Sequence, residues 1–371
     1  HSAFSHAGQK CSATSLLLLE AEVFDSPRFK RNLREAVESL EVGSAWELQT
    51  NVNPLIRPPE GNLQEALQEE APGEEWLVPP VPLADNPHLV TPAVKWNVQP
   101  GAPTHLTELF GPVLSVMRFE KLDEAIDLIH QTGYGLTSGI ETLDEREQEH
   151  WQSRVRAGNL YVNRPTTGAI VLRQPFGGMG RSAFGPSIKA GGPNYVAQLM
   201  DFTETAESEG VDLTNDTLHA LAKREPTAEL EAALRSYTKQ AHDEFTCEHD
   251  HQRLLGQDNL RRYQPIKRLC ICLHADDTQF EIAARIGAAH TVGCEISITG
   301  PGAEAWSDFA TVVSKPDATK FTRLRYANPE RVPEPIRRAT NEAYIYVADA
   351  PVLSEGCIEL LWYVEEQSLS K

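Results

Sequence analysis

The sequence predicts an α/β protein with two α/β domains in series, and three observations predict it. Short apolar runs alternate with amphipathic stretches at the pitch of strand–helix units, which implies a largely parallel sheet. With 371 residues and 40% hydrophobic content, the chain is long enough for two or three domains that each have a core. After Met200 the composition turns acidic and polar, with Asp201, Glu204, Glu207, Glu209 and Asp212 among few large apolar residues. That stretch, residues 201–212, reads as a linker or arm between a domain of residues 1–200 and a second of residues 213–371.

The elements follow in order. Residues 15–20 form an apolar run fit for a buried strand, and Asp25-Ser26-Pro27 then caps a helix with proline in its first turn, running to about Leu40. Residues 51–92 are rich in Pro and Glu and read as a surface excursion with one short helix over 60–69. Strand signals resume at 93–98 and 113–119, a helix is expected over 122–130, a strand at 137–141, a helix over 144–156 and a strand at 160–162. Beyond the linker, residues 227–238 read as a helix, and 267–273, 278–290 and 295–299 as a strand–helix–strand unit.

Charge and composition exclude several function classes. A net charge of −19, from 53 acidic against 34 basic residues with no Lys/Arg block longer than a pair, leaves no basic footprint for nucleic acid. The longest apolar run, Leu16 to Leu19, is far short of the ~20 residues that cross a bilayer, and no signal-peptide pattern opens the chain, so a soluble cytoplasmic protein is expected. Six scattered cysteines do not form a disulfide framework and suit a reducing compartment; Cys270 and Cys272, alternating with Leu269, Ile271 and Leu273, read as core packing. Cys247, His249 and His251 are too tightly spaced and too interrupted by acids for a metal site, and read as a solvated helix end. Asn215-Asp216-Thr217 matches a glycosylation sequon, which has no meaning without secretion.

Three segments carry candidate chemistry. In Gly8-Gln9-Lys10-Cys11-Ser12 a thiol follows a glycine that can bring backbone close to a substrate; the plainer alternative is a buried structural cysteine. Glu108-Leu109-Phe110-Gly111-Pro112 sets a carboxylate, able to accept from ribose hydroxyls, and a ring, able to flank a nicotinamide, just before a strand; the alternative is an exposed acid beside a buried phenylalanine. Small residues at Thr167, Gly168 and Ala169 can present backbone N–H groups as a nest for a carboxylate, or form a plain turn. Gly178-Met179-Gly180-Arg181-Ser182-Ala183 fits a dinucleotide pattern only formally, since no buried strand precedes it and no acid lies ~20 positions on.

Taken together in this order, the Cys11, Glu108 and Phe176 segments resemble the aldehyde dehydrogenase superfamily, and within it the Δ1-pyrroline-5-carboxylate (L-glutamate γ-semialdehyde) dehydrogenases. The resemblance implies an aldehyde dehydrogenase catalytic domain over residues 1–200, with Cys11 as the nucleophile that forms a hemithioacetal and then a thioester. It further implies that Glu108 and Phe110 meet the nicotinamide ribose of NAD, and that Ser12 with the backbone of Gly168 and Ala169 anchors the carboxylate of the aldehyde substrate. Phe176 is implied to pack on the substrate's aliphatic stem. Residues 201–371 more loosely resemble the carboxy-terminal domain of long proline utilization A proteins, a degenerate aldehyde-dehydrogenase-like fold with a lid or assembly role. Leu254-Leu255-Gly256-Gln257-Asp258-Asn259 with Arg262-Tyr263, and the stretch from Glu359 to Ser368, carry that match.

In the family, the NAD-binding Rossmann domain, the general-base glutamate and an oxyanion-hole asparagine precede the cysteine. With only ten residues before Cys11 and His1 in first place, the expectation is a piece of a larger enzyme, inactive alone, whose NAD is bound mainly by a domain outside this chain. A homo-oligomer and an upstream proline dehydrogenase domain or protein are implied as partners. The rival readings are a non-catalytic lid or assembly module and an aldehyde dehydrogenase of another substrate.

Overall fold

The computed structural model describes every residue except 84–85, 204–209, 214 and 318–319. The chain divides into two compact units, His1–Ala169 with Lys371, and Ile170–Ser370. Half of the expected linker, residues 204–209, lies outside the described residues.

The first unit is built on a four-stranded sheet. Strand β1 (Leu16–Glu20) leads to helix α1 (Pro27–Glu38), which begins where the Ser26 hydroxyl accepts from Phe29 N at 3.3 Å and proline occupies the first turn. Helix α2 (Gly61–Gln68) follows, then strands β2 (Glu75–Val78), β3 (Ala93–Trp96) and β4 (Val113–Phe119). The order across the sheet is β1-β4-β3-β2, with β1 and β3 parallel to β4 and β2 antiparallel at the edge. Leu16 faces Ser115, and Ala93 faces Val113. Val37, Leu77, Val94, Leu114 and Val116 fill the core.

Strand β2 corrects the expectation of a surface excursion over 51–92. The Trp76-Leu77-Val78 run is short and set among Pro and Glu, so its pattern is visible only once β3 offers an edge to pair with. All four residues of β3 are buried, Lys95 included. The Lys95 ammonium is kept there by the buried Glu74 carboxylate at 3.1 Å, the Glu69 carbonyl at 2.6 Å and the face of Trp76. Helix α3 (Leu122–Gln131), strand β5 (Thr137–Ile140), helix α4 (Glu145–Arg154, capped by Asp144) and strand β6 (Asn159–Val162) complete the unit, with β5 parallel to β6.

The second unit carries helices α5 (Asp216–Arg224) and α6 (Ala228–Gln240), strand β7 (Asn259–Pro265), strand β8 (Leu269–Cys272), helix α7 (Gln279–Val292), strands β9 (Ile296–Thr299), β10 (Thr311–Val312) and β11 (Arg323–Arg325), helix α8 (Glu334–Glu342), and strands β12 (Tyr346–Ala348) and β13 (Val364–Ser370). Its parallel sheet has the order β10-β9-β8-β11-β12, so the chain starts in the middle, walks to one edge and then crosses to the other, the doubly wound order. Cys270 and Cys272 are buried in its central strand. Helix α7 opens on a reciprocal capping box between Thr278 and Glu281 and ends at Gly293 with φ +84°. Asn215, read as part of a sequon, accepts from Thr217 N at 2.8 Å and caps α5.

Strands β7 and β13 pair antiparallel, from Pro265 opposite Val364 to Asn259 opposite Ser370. The two stretches that carry the carboxy-terminal resemblance are thus pairing partners: Tyr263 lies opposite Glu366, and the Arg262 guanidinium donates to the Gln367 Oε1 at 2.7 and 2.9 Å. Cys247 follows the helical turn Ala241–Phe245 and donates to the His242 carbonyl at 3.2 Å, and His251 is exposed. His249 bonds the Glu244 carboxylate at 3.2 Å and stacks on His251, which meets Arg261 at 3.3 Å. Among the described residues no helix is long and apolar enough to cross a membrane.

Candidate active site

The approach to Cys11 is a strained turn. Over Ser5–Gly8, His6 and Ala7 both adopt φ +55°, and Gly8 follows at φ +69°. A left-handed conformation costs a non-glycine residue about 1–2 kcal/mol, so the fold holds this segment against its local preference. The turn is fixed by Gln9, whose N–H donates to the His6 carbonyl at 2.9 Å and whose side-chain Oε1 accepts from Ile56 N at 2.9 Å. Ala13 N donates to the Lys10 carbonyl at 2.9 Å and closes the loop that presents Cys11. Cys11 is exposed, which removes the reading of a buried structural thiol.

Gly8 serves a different purpose from the one its place before the cysteine suggests. A Cβ there would stand 2.2 Å from the Gly111 carbonyl oxygen, so Gly8 lies against the Gly111–Pro112 peptide and not against open space. Gly111 is equally constrained, since its own Cβ would meet Leu63 Cδ1 at 2.5 Å. The two glycines join the cysteine loop to the segment that carries Glu108 and Phe110. Gly8→Ala is expected to destabilise the protein by at least about 1–2 kcal/mol from backbone strain alone, with the overlap at Gly111 added to it. Urea titration checks the stability, and the rate of Cys11 alkylation should change with it because the loop is displaced.

Glu108 is exposed and makes no hydrogen bond or ion pair among the described residues. Leu109 packs into the core, which pins the segment, and Phe110 holds φ +50° with 43% of its surface exposed. The phenylalanine is therefore not the buried neighbour of a surface acid. A free carboxylate beside a projecting ring, both on a turn pinned by the core, suits a ribose and the flat ring it carries.

The third segment is tied to the same loop. The Thr166 hydroxyl donates to the Ser12 carbonyl at 3.2 Å and meets the Thr14 hydroxyl at 2.9 Å, while Thr166 N donates to the Ser2 hydroxyl at 3.2 Å. Ser12 itself is only 3% exposed. Gly168 is exposed at φ +88° with nothing within 4 Å of where a Cβ would stand, and Ala169 is half-buried. Thr14 and Thr166, which make these ties, carry no signal of their role in the sequence.

Tyr161, also without a sequence signal, lies in β6 just ahead of this segment with 1% of its surface exposed. Burial, joined by the field of Cys11 and opposed by Arg164, pushes its phenol up to about 12. Its hydroxyl has no hydrogen-bond partner among the described residues, an arrangement that costs about 1–3 kcal/mol.

Cys11, Ser12, Glu108, Phe110, Gly168 and Ala169 thus all belong to the first unit, whereas Phe176 belongs to the second. There Phe176 is half-buried and forms an antiparallel bridge with Ala190, with N···O distances of 3.0 and 3.2 Å. The following glycines make a tight turn: a Cβ on Gly178 would stand 2.2 Å from the Ser182 carbonyl oxygen.

Beside this bridge Lys189 is fully buried, donates to the Gly177 carbonyl and is pushed down to about 7 by burial, against the opposing pull of Glu366 and Glu365. Burial pushes the Glu366 carboxyl up from its usual range. Between about pH 7 and 10.5 the unfolded chain keeps the Lys189 proton and the folded chain does not, so stability from this group rises with pH across that window. Glu366 acts oppositely, with stability falling as pH rises from 4.5 towards its raised value. The thermal midpoint is expected to rise from pH 7 to pH 9 in the native sequence relative to Lys189→Met; parallel profiles would refute this assignment.

The chain belongs to the aldehyde dehydrogenase family, whose model matches residues 1–205. Among particular proteins, the bifunctional protein PutA of Klebsiella aerogenes is 30% identical over 393 residues, covering 96% of this chain and 28% of its own length. The structure of proline utilization A (PutA) from Corynebacterium freiburgense is 38% identical and superposes with a TM-score of 0.87, covering all of this chain and 36% of that one. The 1-pyrroline-5-carboxylate dehydrogenase of Bacillus subtilis is 32% identical over 212 residues, which cover 56% of this chain and 40% of that enzyme. The chain therefore spans well under half the length of these relatives.

Proposed function

We propose that this polypeptide serves the NAD-dependent oxidation of L-glutamate γ-semialdehyde, the open form of Δ1-pyrroline-5-carboxylate, to L-glutamate in proline catabolism. The observation that carries the reading is the junction at the cysteine loop. One turn is packed through Gly8 against the Glu108–Pro112 segment and bonded through the Ser12 carbonyl to Thr166, just ahead of Gly168 and Ala169. Nucleophile, ribose acid and carboxylate nest are thereby fixed to one another. The names of the PutA and 1-pyrroline-5-carboxylate dehydrogenase relatives agree with this substrate.

In this reading the Cys11 thiolate attacks the aldehyde carbon and forms a hemithioacetal, whose oxyanion is held by the Cys11 backbone N–H. NAD, when bound, supplies the hydride acceptor. Loss of the hydride leaves a thioester on Cys11, and water releases L-glutamate and returns the thiolate. Glu108 accepts from the nicotinamide ribose hydroxyls, and its lack of a partner among the described residues suits that task. Ser12, Gly168 and Ala169 anchor the substrate's α-carboxylate. Such an anchor selects aldehydes that carry a carboxylate. Residues 1–200 supply this chemistry, residues 201–212 the connection, and residues 213–371 a lid or assembly role. The partners in this reading are further copies of the chain and a proline dehydrogenase domain.

The test is NADH formation by the native protein with Δ1-pyrroline-5-carboxylate and, for comparison, with an aliphatic aldehyde of equal length that lacks the α-carboxylate. Preference for the carboxylate-bearing substrate is expected. Equal turnover of both would favour an aldehyde dehydrogenase of another substrate, and turnover of neither would favour a non-catalytic module.

A further inference from the structure

The carboxylate nest has two sides far apart in the chain, Ser12 on one and Gly168 with Ala169 on the other, and the side chain of Thr166 joins them. Thr166 stands two residues before Gly168. Its hydroxyl donates to the Ser12 carbonyl at 3.2 Å and, with its only proton used there, accepts from the Thr14 hydroxyl at 2.9 Å. Its N–H donates to the Ser2 hydroxyl at 3.2 Å, while Thr14 N donates to the Ser2 carbonyl at 2.8 Å, so backbone and side chains of the two segments share one hydrogen-bonded ring. The γ-methyl sets the direction of the hydroxyl. A Cβ on Gly139 in β5 would stand 3.2 Å from that methyl, so the methyl packs on β5 and the stiff, β-branched side chain turns its oxygen towards Ser12. A valine would fill the same space with no bond to give.

We propose that Thr166 is a positioning residue that sets substrate specificity: its hydroxyl holds Ser12 at the spacing from Gly168 and Ala169 that an α-carboxylate needs, so the anchor is formed before the substrate arrives. The proposal rests on the reading of Ser12, Gly168 and Ala169 as a carboxylate anchor beside Cys11. An anchor held in advance loses little freedom on binding, whereas one that the ligand must order binds it more weakly. Thr166 acts through Ser12 and not on the aldehyde, so its effect falls on the choice between ligands that carry the α-carboxylate and ligands that lack it.

The experiment measures how L-glutamate protects Cys11 from iodoacetamide, followed by peptide mass, in the native sequence, Thr166→Val and Thr166→Ser. The control ligand is γ-aminobutyrate, which lacks the α-carboxylate. Half-protection is read against the same protein without ligand, so a change in the thiol's own rate does not enter. The native protein is expected to be protected by L-glutamate at a lower concentration than by γ-aminobutyrate. In Thr166→Val the L-glutamate concentration for half-protection should rise about tenfold, the effect of one or two hydrogen bonds, while that of γ-aminobutyrate stays in place. Thr166→Ser keeps the hydroxyl and should remain within about twofold of the native value. An equal rise in Thr166→Val and Thr166→Ser, or an equal rise for both ligands, would mark a merely structural threonine and overturn the proposal. If L-glutamate protects native Cys11 no better than γ-aminobutyrate does, the carboxylate anchor itself is misassigned and this proposal falls with it. If the native protein discriminates and Thr166→Val matches it, only the role of Thr166 falls.

Discussion

Cys11→Ala is expected to lower NADH formation from Δ1-pyrroline-5-carboxylate by more than about a thousandfold in the native protein while leaving its thermal midpoint unchanged. The side chain is exposed, so its loss empties no core cavity. The loop around it is held by other residues: Gly8 against Gly111, Gln9 on Ile56, and the Ser12 carbonyl on Thr166. An activity that survives the substitution would mean that another group attacks the aldehyde. Cys11→Ser separates nucleophilicity from shape. The hydroxyl occupies nearly the same space but is far less ionised at neutral pH, so this variant should be almost as inactive as alanine.

The largest loss of stability is expected in the second unit, at Arg325. Its guanidinium and the Glu359 carboxylate are both fully buried and lie 2.9 Å apart. The same Glu359 oxygen accepts from the Tyr363 hydroxyl at 2.7 Å, and the other oxygen accepts from Leu353 N at 3.1 Å. Arg325 also donates to the carbonyls of Tyr326 and Ala350 and meets the Tyr363 hydroxyl at 3.2 Å. Arg325→Met keeps the length but strands a carboxylate in the interior, which costs about 3–5 kcal/mol. Denaturant unfolding should show this in the transition of the second unit. The double variant Arg325→Met with Glu359→Gln should recover part of the loss, since the uncompensated charge is then gone.

Local signals predicted much of the fold. Ser26-Pro27 marks the start of α1, the Thr278/Glu281 box opens α7, and the apolar runs at 16–20 and 269–272 became parallel strands. The misses share a physical cause: their pattern depends on partners distant in sequence. Strand β2 is an edge strand of four residues inside a Pro- and Glu-rich stretch. β13 is buried along its whole length although Glu365, Glu366, Gln367, Ser368 and Ser370 are polar, so no alternation of apolar and polar residues announces it. Its polar groups are satisfied by partners such as Asn194, which donates to Glu366 at 2.9 Å, and the Pro175 carbonyl, which accepts from Ser368 at 2.7 Å. In the site, residue types marked the segments of Cys11, Glu108 and Gly168 only as candidates beside plainer readings, and the family resemblance supplied their expected roles. The contacts that bind those segments together, Gly8 on Gly111 and Thr166 on Ser12, are tertiary and have no local signature. The same holds for Tyr161, which reads as an ordinary strand residue, although its buried hydroxyl has no hydrogen-bond partner among the described residues.

The central claim is that Cys11 is a poised nucleophile beside a site for a carboxylate-bearing substrate. Cys270, Cys272 and Cys294 are buried and Cys247 is half-buried, so the informative comparison is with Cys357, which is exposed yet pushed up to about 11 by partial burial and by Glu355. The most direct measurement is the initial rate of iodoacetamide modification of each cysteine at neutral pH, resolved by peptide mass, with and without L-glutamate. Cys11 should react at least about tenfold faster than Cys357 and be slowed by L-glutamate. Equal rates at the two thiols, with no protection by L-glutamate, would contradict the claim.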